Sequence, residues 1–329
     1  MSRKPIPAFR YPPVGKGRPQ ILLIGNGLEQ TKGQPDWDAL LEALRCPGRE
    51  ALTEAEKREL PFPLLYQLLS TPDPAPVRMD AAALKAEEQR LAEGLKLLQH
   101  RSNPLLDRLP QLGADHILST NYSYCLEKAF YPRLDFSYGA ARSDKRFCFR
   151  PPDEQGKQHR ETNFRLHTGY LAQNADGSRV GLWHIHGETT VPRGVVVGHD
   201  RYGRLLSRMV QICGTETPHR PDTAPRVFRS WPELFLFGDV YVLGFGFALC
   251  EHDLWWLLRR KQRERYGDGS VYFYDNDDPD KPEKALCNRL LQAHGAQINP
   301  DVQRVPGDYA AFYEAALERI AVRIRDSRA

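Results

Sequence analysis

Val240-Tyr241-Val242-Leu243-Gly244-Phe245-Gly246-Phe247 reads as a short, continuously apolar strand that ends on glycine. A strand with one wet face would alternate, whereas a run apolar on both faces belongs to a strand covered from both sides, as in a parallel sheet. The residues that follow repeat the theme. Asp253 to Arg265 reads as a helix, Val271 to Tyr274 as a second apolar strand, Lys281 to Ala293 as a second helix and Val302 to Val305 as a short final strand. In the closing segment Tyr309, Phe312, Tyr313, Ala316, Leu317, Ile320 and Ile324 fall on one helical stripe, with Asp308 as N-cap. Strands alternating with helices predict an α/β fold, a parallel sheet with helices on both faces. Its ligand is expected in the loops beyond the strand C-termini.

Towards the N-terminus the same signal recurs. Ile21-Leu22-Leu23-Ile24 is an apolar run closed by Gly25-Asn26-Gly27, and His116-Ile117-Leu118-Ser119-Thr120 is a second, leading into Asn121-Tyr122 and a helix through Phe130. Between them, at about 30–112, lies a helical insertion after the first strand. It contains the capping box Thr53-x-x-Glu56, the Pro61 to Pro76 stretch, and Leu84, Leu91, Leu95 and Leu98 on one helical face behind an Asp80 cap. Leu182 to His186 and Val195 to Val197 read as strands, followed by a helix near Arg201 to Ile212. Residues 131–180 read as irregular, either an excursion over the site or surface loops. Residues 1–19 carry five basic and no acidic side chains among five prolines and read as an arm, either solvated or touching an anionic partner. Residues 20–329 read as one domain.

Composition narrows the class. The chain has 329 residues, 41% hydrophobic and 27% charged, with 46 Lys and Arg against 42 Asp and Glu, for a net charge of +4. That is enough apolar content for a core and too little unbalanced charge for a disordered chain. Direct nucleic-acid binding is not supported, since it needs clustered Lys and Arg rather than a slight global surplus. No run approaches a membrane span and the N-terminus lacks the apolar core of a secretion signal, so neither membrane insertion nor export is expected. Cys46, Cys125, Cys148, Cys213, Cys250 and Cys287 form no CxxC pair. They read as reduced, mostly buried thiols of a cytoplasmic protein, and no metal site is expected.

Four strand ends hold residues that let a ligand come close: Gly25-Asn26-Gly27, Ser119-Thr120-Asn121-Tyr122, His184-Ile185-His186-Gly187 and Gly244-Phe245-Gly246-Phe247. Glycine after a strand lets backbone N–H groups face a phosphate, although each stretch is also ordinary turn chemistry. Asn121 by itself fits an Asx turn or a helix cap, and His186 a buried histidine bonded to backbone. His184, two residues earlier on the same strand, should share the face of His186, either supporting a site or packing in the core. Asp275-Asn276-Asp277-Asp278-Pro279 could bond ribose hydroxyls or adenine, and is equally strong turn chemistry.

In their order these elements resemble the sirtuin-like family, especially its bacterial branch found in antiviral defence systems that degrade NAD+. Gly25-Asn26-Gly27 stands where the family has a GAG-like turn, and Ser119-Thr120-Asn121-Tyr122 is similar to its TTNYD element, ending here in Ser123. His186-Gly187 is similar to the HG element, followed by Gly198-His199-Asp200-Arg201-Tyr202, and Leu243 to Phe247 with Asp253 resembles its GYS-x(n)-D segment. The resemblance spans residues 21 to 275 and implies a Rossmann-like domain. Protein-deacylating members carry a zinc ribbon on two CxxC pairs, which is missing from this sequence.

The resemblance implies NAD+ as substrate, with no metal. It implies Asn121 and His186 as catalytic residues, and Gly25, Asn26, Gly27, Thr120, Gly187, Gly244, Phe245, Gly246, Asp275 and Asn276 as binding residues. Nicotinamide leaves as a neutral molecule from a cationic pyridinium, so its departure needs no general acid. It needs a stabilised oxocarbenium-like ribose and a positioned water. Asn121 is expected to orient that water or the ribose hydroxyls, and His186 to act as general base near its ordinary pKa of about 6.5. The expected function is NAD+ glycohydrolysis by a toxic effector of antiphage defence, with a separately encoded sensor or regulatory partner and a homo- or hetero-oligomeric assembly. Two alternatives are a module that binds NAD+ or ADP-ribose without turnover and, disfavoured by the cysteines, an NAD-dependent deacylase.

Overall fold

The computed structural model describes residues 10–11, 17–76, 78–98, 100–133, 146–148, 164–214, 226–228, 230–263 and 269–329. The chain begins with β1 (Arg10–Tyr11), β2 (Gln20–Ile24) and α1 (Asn26–Gln30). The insertion follows as α2 (Trp37–Ala43), α3 (Glu54–Glu59), α4 (Phe62–Ser70) and α5 (Ala81–Gly94), with 3-10 turns at Leu95–Leu97 and Leu106–Gln111. The middle of the chain holds β3 (His116–Ser119), α6 (Cys125–Phe130), β4 (Arg146–Cys148), β5 (Thr168–Gln173), β6 (Arg179–His184) and α7 (His199–Cys213). It closes with β7 (Arg226–Val227), α8 (Trp231–Phe237), β8 (Asp239–Leu243), α9 (His252–Arg263), β9 (Val271–Tyr274), α10 (Pro282–Ala293), β10 (Ala296–Ile298) and α11 (Tyr309–Asp326).

Eight strands form the main sheet in the order β10-β9-β8-β2-β3-β6-β5-β4, with β1 and β7 as a separate antiparallel pair. The six strands from β10 to β6 are parallel, and β5 and β4 extend the edge antiparallel. The chain builds outward from β2 through β3 to β6, then crosses to β8 on the other side of β2 and continues to β9 and β10. This is a Rossmann-like α/β fold. Its crevice opens where the strand order reverses, at the C-terminal ends of β2 and β8. Those ends carry Gly25-Asn26-Gly27 and Gly244-Phe245-Gly246.

Alternation along the strands feeds two cores. Ile21, Leu23, Leu118, Trp183, Val240, Val242 and Phe273 pack on one face with Leu205, Leu234, Leu254, Leu257 and Leu291 from α7 to α10. Leu22, Ile24, Ile117, Leu182, Tyr241 and Leu243 pack on the other with Leu126 of α6 and Phe312, Ala316 and Ile320 of α11. The insertion has its own core of Leu40, Leu41, Leu65, Leu69, Leu91 and Leu95, and it docks on Tyr122, Val195 and Val197. That docking carries Trp37 to the mouth of the crevice. The Thr53–Glu56 capping box and the Asp36, Asp80 and Asp308 caps all form, each satisfying a backbone N–H at a helix start.

Several expectations need correction. Val302 to Val305 is not a strand. The last strand is Ala296–Ile298, because Asn299 and Asp301 take left-handed φ of 46° and 63° and end the extension before the valine pair. Val195 to Val197 is buried but makes no ladder. The Val196 N–H reaches the His186 carbonyl, while that of Val195 turns back to Pro192. Leu84 and Tyr309 are exposed, so the apolar stripe of α5 begins at Leu91 and that of α11 at Phe312. Within 131–180, the described residues include strands β4 and β5. In the basic arm, Arg10–Tyr11 is strand-paired and the rest of 1–16 lies outside the described residues. Cys46, Cys125, Cys213, Cys250 and Cys287 are free, with Cys213 half-buried and the other four buried. No helix among the described residues is long and apolar enough to cross a membrane.

Candidate functional site

A cleft of about 530 Å³ lies over the C-terminal strand ends, well within the size range of small-molecule sites. Its walls run from Asp275 after β9, through Gly244 to Ala248 after β8 and Asn26 and Gly27 after β2, past Thr120 after β3, to His186 after β6. Five adjacent strands at about 4.8 Å spacing make this roughly 19 Å from end to end. That is the length of an extended dinucleotide rather than of a single nucleotide. Trp37, Gln30 and Thr31 line the insertion side.

At the β6 end the strand stops at His184, and Ile185 and His186 form a turn beyond it. Period-two alternation therefore fails at this point, and the two histidines do not share a face. His184 Nε2 meets Glu127 Oε1 of α6 at 2.8 Å and its Nδ1 meets the Asn121 carbonyl at 2.9 Å. His186 turns to the opposite layer, where Nε2 lies 2.9 Å from Asp253 Oδ2 in the first turn of α9. Its Nδ1 has no partner among the described residues and is the ring nitrogen left for the cleft. Burial pulls the His186 imidazole down, but the carboxylates of Asp253 and Glu251 outweigh it, so its pKa is raised.

Glu251 lines the cleft beside His186, with Oε2 at 3.8 Å from His186 Nε2 and accepting from the Tyr202 hydroxyl at 2.8 Å. Burial pushes its carboxyl above the ordinary range and the Asp253 charge adds to this, while His186 and the Tyr202 hydroxyl act against it. His186, Glu251 and Asp253 offer donor atoms within 4.8 Å of one another, close enough to surround a cation. The 2.9 Å hydrogen bond between His186 and Asp253 also fits a histidine oriented by a carboxylate.

The glycines act on each other. The Gly25 N–H donates to Leu243 O and that of Gly27 to Gly244 O, so neither is left for a phosphate. A Cβ on Gly25 would sit 2.4 Å from Gly244 O, and one on Gly27 would sit 2.6 Å from the Tyr313 hydroxyl. Gly187, at φ 99°, is needed by its turn, because a Cβ there would meet Gly194 O at 2.4 Å. Gly246 alone of these has open space around it. Phe247 holds φ at 51°, unusual for a bulky residue, and is fully packed among Phe245, Trp255 and Phe273.

Asn121 stands apart from the main cleft. Its Nδ2 donates to Glu29 Oε1 at 2.6 Å, beside Ser123 Oγ, which donates to Glu29 Oε2 at 2.6 Å. These groups line a small recess that shares Asn26 and Trp37 with the cleft wall. Burial raises the Glu29 pKa and the Ser123 and Asn121 hydrogen bonds partly offset it. Asn276 also lies outside the cleft wall, and its amide clamps Val305 N and O. Asp275 does face the cleft, with Asp277, Tyr309 and Tyr313. Lys284 Nζ bridges the two carboxylates at 2.7 and 2.9 Å.

Of the expected residues, His186, Asn26, Gly27, Thr120, Gly244, Phe245, Gly246 and Asp275 thus share one cleft, while Asn121, Gly25, Gly187 and Asn276 do not line it. Sequence reading missed Glu251 and Trp37, and it gave Tyr202 and Asp253 no role. Comparison of the chain with known protein families and with curated proteins gives no match to either.

Proposed function

We propose that the protein is an NAD+ glycohydrolase that releases nicotinamide and ADP-ribose. The carrying observation is His186, held through Nε2 by Asp253 with Nδ1 left for the cleft, at one end of a crevice long enough for a dinucleotide. A carboxylate accepting from Nε2–H fixes the tautomer in which Nδ1 carries a lone pair, which is what a general base needs. With the nicotinamide ribose at this end, the glycosidic electron pair passes to the pyridinium nitrogen. Water then bonds to the anomeric carbon and yields its proton to His186. Asp275 and Tyr309, which line the other end of the cleft, would meet the adenosine end. The resemblance to sirtuin-like defence proteins supplies the setting: a cytoplasmic toxic effector of antiphage defence, controlled by a separately encoded partner.

One observation favours a second reading. The Asn121 amide is spent on Glu29, which leaves the cleft without one of its two expected catalytic groups. A module that binds NAD+ or ADP-ribose without turnover is consistent with this. Incubation with NAD+, following nicotinamide release, together with calorimetric titration of ADP-ribose, separates the two. Release that is lost in His186→Ala supports hydrolysis. Binding without release, with its natural partners present, supports the sensor. Neither binding nor release overturns both.

A further inference from the structure

We propose that Glu251 is a second catalytic group of this cleft, the carboxylate that opposes the positive charge developing on the ribose as nicotinamide leaves. The inference rests on the glycohydrolase reading and adds a residue that no sequence motif marked.

Three observations carry it. Glu251 is buried, 8% exposed, yet it forms part of the cleft wall next to His186. Only one of its carboxylate oxygens is used, by Tyr202, and Oε1 has no partner among the described residues. Its backbone is fixed on both sides: its N–H donates to Ala248 O and its carbonyl accepts from Trp255 N in the first turn of α9. A carboxylate oxygen that faces the cleft with no partner among the described residues contributes no hydrogen bond to the fold. It becomes useful when a cation is brought opposite it.

The reaction supplies such a cation at a definite place. In bound NAD+ the positive charge sits on the pyridinium ring. As the glycosidic bond breaks, its electron pair neutralises the ring nitrogen and the charge moves to the anomeric carbon and ring oxygen of the ribose. A fixed carboxylate beside that ribose interacts more strongly with the transition state than with the ground state, which is the condition for raising kcat. Water then forms the new C–O bond and its proton goes to His186 Nδ1. Glu251 forms no bond and takes no proton, and its charge also stabilises the imidazolium that results.

Glu251→Gln keeps the shape and the acceptor for Tyr202 but removes the charge. The test compares nicotinamide release from NAD+ by the wild type, Glu251→Gln, Glu251→Asp and His186→Ala, with ADP-ribose affinity measured on each by calorimetry. The expected result is a kcat lower by about 10²- to 10³-fold in Glu251→Gln, with ADP-ribose affinity unchanged and partial recovery in Glu251→Asp. A purely structural role would not separate kcat from affinity or recover with the shorter acid. A Glu251→Gln enzyme with wild-type kcat, alongside an inactive His186→Ala, overturns this proposal and leaves the glycohydrolase reading standing. A wild type that neither releases nicotinamide nor binds ADP-ribose overturns both. If EDTA abolishes wild-type activity and Mn2+ or Zn2+ restores it, the cluster is a metal site and the proposal fails.

Discussion

His186 Nε2 and Asp253 Oδ2 lie 2.9 Å apart across 67 residues of sequence, joining the turn after β6 to the first turn of α9. The Asp253 side chain is completely buried and its Oδ1 has no partner among the described residues, so its one hydrogen bond is the one to the imidazole. Asp253→Asn removes the anion and allows an amide N–H to face Nε2, which moves the ring proton to Nδ1 and blocks the base. Nicotinamide release should fall on the order of 10²- to 10⁴-fold while ADP-ribose still binds. Full activity in Asp253→Asn would remove His186 from the base role.

The same pair sets a pH dependence. Both neighbouring carboxylates raise the His186 pKa against the pull of burial. A base works only when unprotonated, so activity should climb with pH through a midpoint above the ordinary imidazole value of about 6.5. Replacing Glu251 by Gln removes one of the two raising charges, and the midpoint should move down. A pH–rate profile of kcat/KM for the two proteins checks both the position and the direction of the shift.

Gly25 and Gly246 make opposite predictions although both stand at strand ends. Gly25→Ala places a methyl 2.4 Å from the Gly244 carbonyl, between two backbones that cannot give way cheaply. A loss of about 1–3 kcal/mol is expected, visible as a lowered midpoint in urea. Gly246→Ala meets nothing within 4 Å and has no left-handed φ to forbid it. Its stability should stay within about 0.5 kcal/mol of wild type. Any loss of ADP-ribose affinity in Gly246→Ala therefore reports on the ligand approaching the backbone.

The central strands were legible because β2, β3, β8 and β9 are buried on both faces and so write themselves as apolar runs. The antiparallel edge was not. β5 is only partly covered, and its Thr168, Leu171 and Gln173 break up the pattern of a buried strand. Valine chemistry at Val302 and Val305 looked like a strand, but the left-handed Asn299 and Asp301 decide otherwise, and backbone conformation at such residues is weakly encoded. At the site, His186 could be named only through the resemblance carried by His186-Gly187, because alone it reads as a buried histidine bonded to backbone. Glu251 was not singled out and Asp253 entered only as part of a motif resemblance, with no role of its own, since acidic residues opening a helix are favoured by its dipole in any protein. Their meaning appears only when the fold brings α9 beside the β6 turn.

Asn121 is expected to behave as a structural residue first. Removing its amide in Asn121→Ala leaves Glu29 Oε1 buried without its 2.6 Å donor, a cost of about 1–3 kcal/mol. Loss of activity in Asn121→Ala is thus ambiguous unless stability is measured in parallel. Asn121→Asp should be worse, because it sets a second carboxylate against Glu29. A midpoint of thermal unfolding unchanged in Asn121→Ala would show that the Glu29 contact is not held in solution.

His184 supplies a stability prediction independent of catalysis. Burial pulls its pKa down, but the Glu127 carboxylate, its hydrogen bond, the Glu188 charge and the Asn121 carbonyl together raise it to about 9. A group whose folded pKa exceeds its unfolded value stabilises fully below the unfolded pKa, near 6.5, and loses that contribution as pH rises through the folded one. The window is therefore alkaline, between about 6.5 and 9, and the contribution at stake is about 3 kcal/mol. Glu127→Gln replaces the anion that holds the imidazolium, so it should lower stability at neutral pH and flatten the alkaline decline. Urea unfolding of both proteins at pH 6.5 and pH 9.5 measures the difference. Equal slopes in the two proteins would mean that His184 is neutral in the folded state and that Glu127 serves it only as a hydrogen-bond acceptor.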